Sequence, residues 1–397
     1  TSSVSYCVPG GQDFQRVYIR VHGYIALLIS LLGCAANSVN IAVLSRKEMA
    51  SSTNSILTAL AVADLLVMIE YIPLALHIYT NICSELNRNS YAWAVFVYFH
   101  SIFSQTFHTI SIWLTITLAI WRYIAIKFPQ KNRTLCNKRN TNIAIAVAYA
   151  VCPILCFPIF FAMKIREIPP TASAGLQNDT LNVTDAVNVS ASREQEYAIM
   201  MTANNELLTA IFWIYSVFLK LIPCVVLSIL SVLLILKMKS SDRRRQKLLN
   251  KSTISSNEDV GGGKRGGGGG RTDRTTRMLV ALLGLFLATE LPQALFGLLT
   301  AIAPHLFQIC YYAFGEVMDL MALVGSAVNF VLYCSMSRQF RCTFTRLARK
   351  LLPLAGPRPS ILGHEHLNYS EGINYSYVHV SKNDCSTTYI RFFLFYQ

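Results

Sequence analysis

The chain has 397 residues, 53% of them hydrophobic and 14% charged, with a mean hydropathy of +0.40, which excludes disorder and disfavours an ordinary soluble globule, where about 25% of residues carry charge. The net charge of +14 invites a nucleic-acid reading, but the basic residues cluster between long apolar runs, where they report membrane topology. A polytopic membrane protein follows, with no nucleic-acid partner.

Apolar runs of roughly 20 residues or more, enough to cross a bilayer, fall near 18–44, 55–80, 93–120, 142–163, 207–236, 276–302 and 307–334. They predict an all-α membrane protein, a seven-helix bundle over residues 18–348. Residues 1–16 lack an apolar core, so no cleavable signal is expected, and 1–17 reads as a flexible tail. Lys and Arg crowd Arg46-Lys47, the stretch from Lys127 to Arg139, and Lys237 to Arg277, and are sparse in the alternate connections. That bias places the amino terminus outside and the carboxyl terminus in the cytosol.

In the first span, Asn37 must find a partner inside the bundle, because lipid offers none. The second holds Asp64 at mid-membrane, a depth that forces a carboxyl to face inward, pair or stay protonated, and Pro73 permits a kink. His100, Gln105, His108 and Ser111 follow in the third span, which ends in Trp121-Arg122-Tyr123. Arg122 lies where lipid gives way to water. One reading has it snorkel to lipid phosphates, the other makes it functional.

Pro153 and Pro158 kink the fourth span. The loop 166–204 carries acceptor sequons at Asn178, Asn182 and Asn188, in agreement with an outside placement. The fifth span contains Lys220 and Pro223. Residues 239–275, with an arginine triplet and a glycine run, are expected to be a disordered linker. Phe286, Glu290 and Pro292 lie in the sixth span, and Asp319, Ser326, Asn329 and Tyr333 succeed one another in the seventh. Residues 337–348 predict a short amphipathic eighth helix on the inner leaflet, with Phe340 and Phe344 turned toward membrane lipids. Cys342 is there either a palmitoylation site or a packing residue. Of the cysteines, Cys7, Cys83 and Cys310 fall outside, which allows one disulfide, Cys7–Cys310 or Cys83–Cys310. Residues 349–397, rich in Ser, Thr and Tyr, read as a cytosolic regulatory tail.

The pattern resembles the rhodopsin-like G-protein-coupled receptors. It is carried by Asn37, Leu60-Ala-Val-Ala-Asp64, Trp121-Arg122-Tyr123, Pro158, Pro223, Phe286, Pro292, Asn329-Phe-Val-Leu-Tyr333 and Phe340. Departures narrow it: Trp121 stands where an acid usually precedes the arginine, Glu290 where a tryptophan precedes the proline, and Phe330 where a proline is usual. With the run from His108 to Ile126, these are similar to invertebrate myosuppressin and FMRFamide-like neuropeptide receptors. The resemblance implies a plasma-membrane receptor that is not an enzyme, with Arg122 and Tyr333 as activation switch, aided by Trp121, Phe286 and Pro292. It implies an extracellular amidated peptide, a heterotrimeric G protein of the inhibitory type, and arrestin and receptor kinases as partners.

Peptides of that class end in Arg-Phe-amide. A guanidinium calls for a carboxylate, with which it makes paired hydrogen bonds, and Asp319, Glu290 and Glu316 are the candidates. Asp319 comes first, roughly 15 Å outward of Asn329 by helix rise. Glu290 is either a second acceptor or a structural acid bonded to His108 or Asn329, and Lys220 is either a ligand contact or a partner of Asp319. His100, Gln105 and His108 would face the carboxamide, and Phe103, Phe107, Phe212 and Phe296 would offer the aromatic slot. Asp64, Ser111, Ser326 and Asn329, near Asn37, match the family's internal sodium site. The alternative there is a water-filled network containing Asp64 and Glu290, two carboxyls that would oppose joint ionisation.

A receptor of this fold for another peptide or small ligand is the nearest rival. A light receptor would need a lysine in the seventh span, which has none. A seven-span zinc hydrolase would need convergence of His22, His77, His100 and His108, and a transporter would be expected to show a repeat or broken helices.

Overall fold

The structure, a computed structural model, describes residues 10–80, 89–168, 195–254, 270–303, 310 and 314–351. Its elements are α1 (Gly10–Leu44), α2 (Ser52–Leu74) with a π turn at Ala75–Tyr79, α3 (Tyr91–Lys127), the short α4 (Pro129–Leu135), and α5 (Lys138–Cys156) with a 3-10 turn at Phe157–Phe161. Strands β1 (Met163–Glu167) and β2 (Tyr197–Met201) follow, then α6 (Asn205–Trp213), a π stretch at Ile214–Leu221, α7 (Ile222–Ile254), α8 (Gly270–Ile302), α9 (Gly315–Met336) and α10 (Arg338–Leu351).

Among the described residues six helical stretches are long and apolar enough to cross a membrane. With α9 as the seventh they form the expected bundle. Polar caps start the helices where the sequence leaves the apolar pattern. Ser51 accepts from the Asn54 N–H, Ser90 from that of Trp93, Asn137 from that of Asn140 and Asn204 from that of Leu207, each satisfying one of the amides a helix start leaves unpaired. Proline explains the irregular turns. Pro223 removes the N–H that would bond one turn back, and the widened π stretch lies directly before it.

The structure corrects several expectations. The amino-terminal segment is helical from Gly10, so α1 begins inside the expected tail. The supposed linker is helical up to Ile254 and again from Gly270, because Lys, Arg, Gln and Leu are good helix formers. The bundle is not purely helical. β1 and β2 pair antiparallel with Met163 opposite Met201 and Glu167 opposite Tyr197, and this hairpin defines one end of the molecule. Phe340 is buried in the core with Phe344 packed on the same cluster, not turned to lipid, because Phe330 presents it an aromatic neighbour at 6.1 Å. Cys310 is disulfide-bonded, while its expected partners Cys7 and Cys83 lie outside the described residues.

The helices approach closely at glycine. A Cβ on Gly23 of α1 would fall on the Tyr79 Cβ and within 2.9 Å of its carbonyl carbon. We expect Gly23→Ala to destabilise the receptor by about 1–3 kcal/mol, the usual cost of overpacking, read as a lowered thermal midpoint of detergent-solubilised protein.

Candidate functional site

Beneath the hairpin lies a cavity of about 330 Å³ walled by α2, α3, the hairpin, α6 with its π stretch, α8 and α9. Its walls differ in chemistry. Ile159, Met163, Met201, Leu208 and Phe212 make one side apolar, while His100, Gln105, His108, Lys220, Gln293 and Asp319 give the other its polar groups.

Two polar clusters flank it. Lys220, 1% exposed, donates to Glu290 Oε2 at 2.6 Å and to Gln293 Oε1 at 2.8 Å, and His108 Nε2 lies 2.8 Å from Glu290 Oε1. The Gln293 amide in turn donates to the Met318 carbonyl at 2.8 Å, beside Asp319. A buried ammonium and carboxylate persist only when each is paired and further hydrogen-bonded, and this cluster meets that condition. The second joins His100 Nδ1 to both Glu70 oxygens at 2.6 Å. Beside it, the Tyr71 hydroxyl lies 2.9 Å from His22 Nε2.

Asp319 differs from these acids. Its side chain is exposed to the cavity and forms no hydrogen bond or ion pair with any described residue. Gln105, which lines the cavity, donates its amide to Thr109 at 3.2 Å, and no described residue donates to its side-chain oxygen.

The expected ligand residues therefore divide. Asp319, His100, Gln105, His108 and Lys220 come together around the cavity, but Lys220 pairs with Glu290 and not with Asp319. Glu290 is consumed by Lys220 and His108, the structural alternative weighed for it, and is corrected from acceptor to strut. Glu316 does not line the cavity and instead accepts from Gln15 at 3.3 Å. Phe296 faces Phe314 at 5.8 Å and is also off the cavity; Phe103 and Phe107 pack on each other, tilted by 41° with centroids 4.5 Å apart, and do not line it, leaving Phe212 as the phenylalanine of the slot. Glu70 is a residue that sequence reading missed. A glutamate inside the otherwise apolar run Val67-Met-Ile-Glu70-Tyr was signal enough, since an ionisable side chain at that depth needs a partner.

Below the large cavity a second, of about 50 Å³, is lined by Asp64, Ser111, Thr289, Glu290 and Ser326 among others, and it shares His108, Ala322 and Ser326 with the first. The ion cluster is thus the partition between them. Ser111 donates to Asp64 Oδ1 at 2.8 Å, and Asn37 donates to the Gly33 and Ser326 carbonyls at 3.1 and 3.2 Å, which ties the first span to the seventh. One carboxylate with hydroxyl oxygens suits a hard monovalent cation such as sodium or a few waters, each of which needs only about 10–15 Å³. No cluster of His, Cys, Asp and Glu with metal-binding geometry occurs among the described residues. His22 and His77 serve elsewhere, His77 stacked on Trp93 with centroids 3.6 Å apart.

Toward the end opposite the hairpin, Phe286 packs with Ile112, Ile116 and Leu227. Trp121, which replaces the usual acid, donates its indole N–H to Thr141 at 3.0 Å and so fastens α3 to α5. Arg122 beside it is half-buried. Pro292 sits within an unbroken α8. The side chains of Asn329 and Tyr333 lie outside the described residues, as do Asn178, Asn182, Asn188 and residues 352–397.

Residues 24–350 match the family model described as serpentine type 7TM GPCR chemoreceptor Srw. The chain is 32% identical over 356 residues, 83% of its length, to 68% of the G-protein coupled receptor dmsr-1 of Caenorhabditis elegans. It is 27% identical over 340 residues, 82% of its length, to 72% of the Sex peptide receptor of Drosophila melanogaster. Over 358 residues, 88% of its length, it is 24% identical to 57% of the FMRFamide receptor of the same fly.

Proposed function

The chain belongs to the Srw family of serpentine seven-helix G-protein-coupled receptors, a premise from which we propose that it binds an amidated peptide ending in Arg-Phe at its hairpin end and activates an inhibitory-type G protein at the other. It is a multi-pass membrane receptor and not an enzyme. The observation that carries the ligand reading is the charge arrangement of the cavity. Each basic group there is already matched, His100 by Glu70, and His108 and Lys220 by Glu290, whereas Asp319 is open.

A guanidinium entering beneath the hairpin would meet Asp319 as a paired acceptor. The following phenyl ring would lie against Phe212, Met163 and Met201, and methionine sulfur contacts aromatic rings favourably. The carboxamide N–H would donate to the free Gln105 oxygen. The hairpin end is then extracellular, in keeping with the basic connections and the sequons of 166–204, and Arg122 with Tyr333 opens toward the G protein at the opposite end. Arrestin, receptor kinases and sodium near Asp64 follow from the family analogy alone.

The test is a peptide panel on cells expressing the full chain, read as suppression of cAMP. A peptide ending in Arg-Phe-amide should act at least tenfold more potently than its free acid, whose extra carboxylate would be desolvated beside Asp319. Equal potency of acid and amide overturns the ligand reading, and a rise in cAMP overturns the coupling. The cavity volume also favours a second reading, a small cationic ligand, because about 300 Å³ is the low end for ligand pockets. A response to simple arylalkylamines without any to the peptides would select it.

A further inference from the structure

We propose that Glu70 is a specificity-determining positioning residue, which holds His100 away from Asp319 and so keeps Asp319 open to a ligand's guanidinium. The inference rests on the cationic-ligand reading above and adds the residue that preserves it.

The geometry is that of a clamp. His100 Nδ1 is 2.6 Å from each Glu70 oxygen, within hydrogen-bonding distance of both, and the side chains are 13% and 8% exposed. The clamp is braced. Tyr71, the next residue after Glu70, sets its ring edge-on to the imidazole at 5.6 Å and 65°, and its own hydroxyl is bonded to His22. His100 and Asp319 line the same cavity.

An imidazole this enclosed must hydrogen-bond to something. Without the Glu70 carboxylate, the carboxylate that shares a cavity with His100, and that no described residue hydrogen-bonds, is Asp319. An internal hydrogen-bond donor would then hold the place intended for the ligand's guanidinium. Lys220 poses the same hazard and is restrained in the same way by Glu290 and Gln293. Glu70 is therefore to His100 what Glu290 is to Lys220: a carboxylate that removes an internal competitor.

The experiment uses the full-length receptor in cells, with surface level measured by an epitope tag. The readout is the potency ratio between an Arg-Phe-amide peptide and its citrulline counterpart, which keeps the shape and loses the charge. Glu70→Gln should reduce that ratio about tenfold or more, the scale of one charged contact. The double variant Glu70→Gln with His100→Asn, which removes the competitor, should recover most of it. A role in packing alone predicts that the double variant is no better than the single. An unchanged ratio in Glu70→Gln, or no recovery in the double variant, overturns the proposal. Should Glu70→Gln fail to reach the surface, Glu70→Asp serves, whose shorter arm should give an intermediate loss; a wild-type ratio there is equally fatal. Asp319→Asn separates the two ideas: if it leaves the ratio intact, the guanidinium reading has failed, and if it abolishes the ratio while Glu70→Gln does not, only the clamp has.

Discussion

Asp319→Asn should lower the potency of an Arg-Phe-amide peptide by roughly 30-fold or more, because truncating one partner of a desolvated charge pair costs about 2–5 kcal/mol and 1.4 kcal/mol is tenfold. The substitution is nearly isosteric, and Asp319 makes no internal hydrogen bond or ion pair with described residues, so fold and surface level should hold. The citrulline peptide should lose little, since it brings no charge to match. Concentration–response curves for both peptides on wild type and variant provide the check. A variant that keeps full potency for the arginine peptide would remove Asp319 as the anchor.

The largest effect on stability is expected at Lys220. Lys220→Met deletes the ammonium that neutralises Glu290 at 2.6 Å, in a pair whose side chains are 0% and 2% exposed. Removing one partner of a buried ion pair costs about 3–5 kcal/mol, because the other charge is stranded. The His108 contact tempers this without abolishing it, since it engages only one of the two oxygens. The double variant Lys220→Met with Glu290→Gln should recover at least half the loss, as the amide can still bond His108 and carries no charge. Thermal unfolding of solubilised receptor, read without ligand, measures both. Equal stability of Lys220→Met and wild type would mean that Glu290 is satisfied without the lysine.

The spans, their order and the polar residues that line the cavity were legible because lipid punishes exceptions: a charge in an apolar run must face inward. Asp319 and Glu290 stand out for that reason, as do Asp64 and Asn37. What one-dimensional reading could not supply is which charge meets which. Lys220 and Glu290 are 70 residues apart, and nothing in the local pattern prefers that pairing to Lys220 with Asp319. The same holds for Glu70 and His100, 30 apart on neighbouring helices. Phe340 was misplaced because amphipathicity marks an apolar face without saying whether lipid or protein covers it. The helical extensions of α7 and α8 were hidden by a neighbouring glycine run that dominates the composition.

The π stretch from Ile214 to Leu221 carries Ser216 and Lys220 into the bundle, both buried. Each of its turns holds one residue more than an α-helical turn, and such a turn can tighten by passing that residue along the ladder without breaking the rod. Tightening one would swivel α6 against α7 by about 100° while both stay helical. Since Lys220 leans on Glu290 in α8 from within this stretch, torsion of the rod would be felt as a sideways pull on its neighbour. The fifth span is thereby linked, through one buried side chain, to both the space under the hairpin and the sixth.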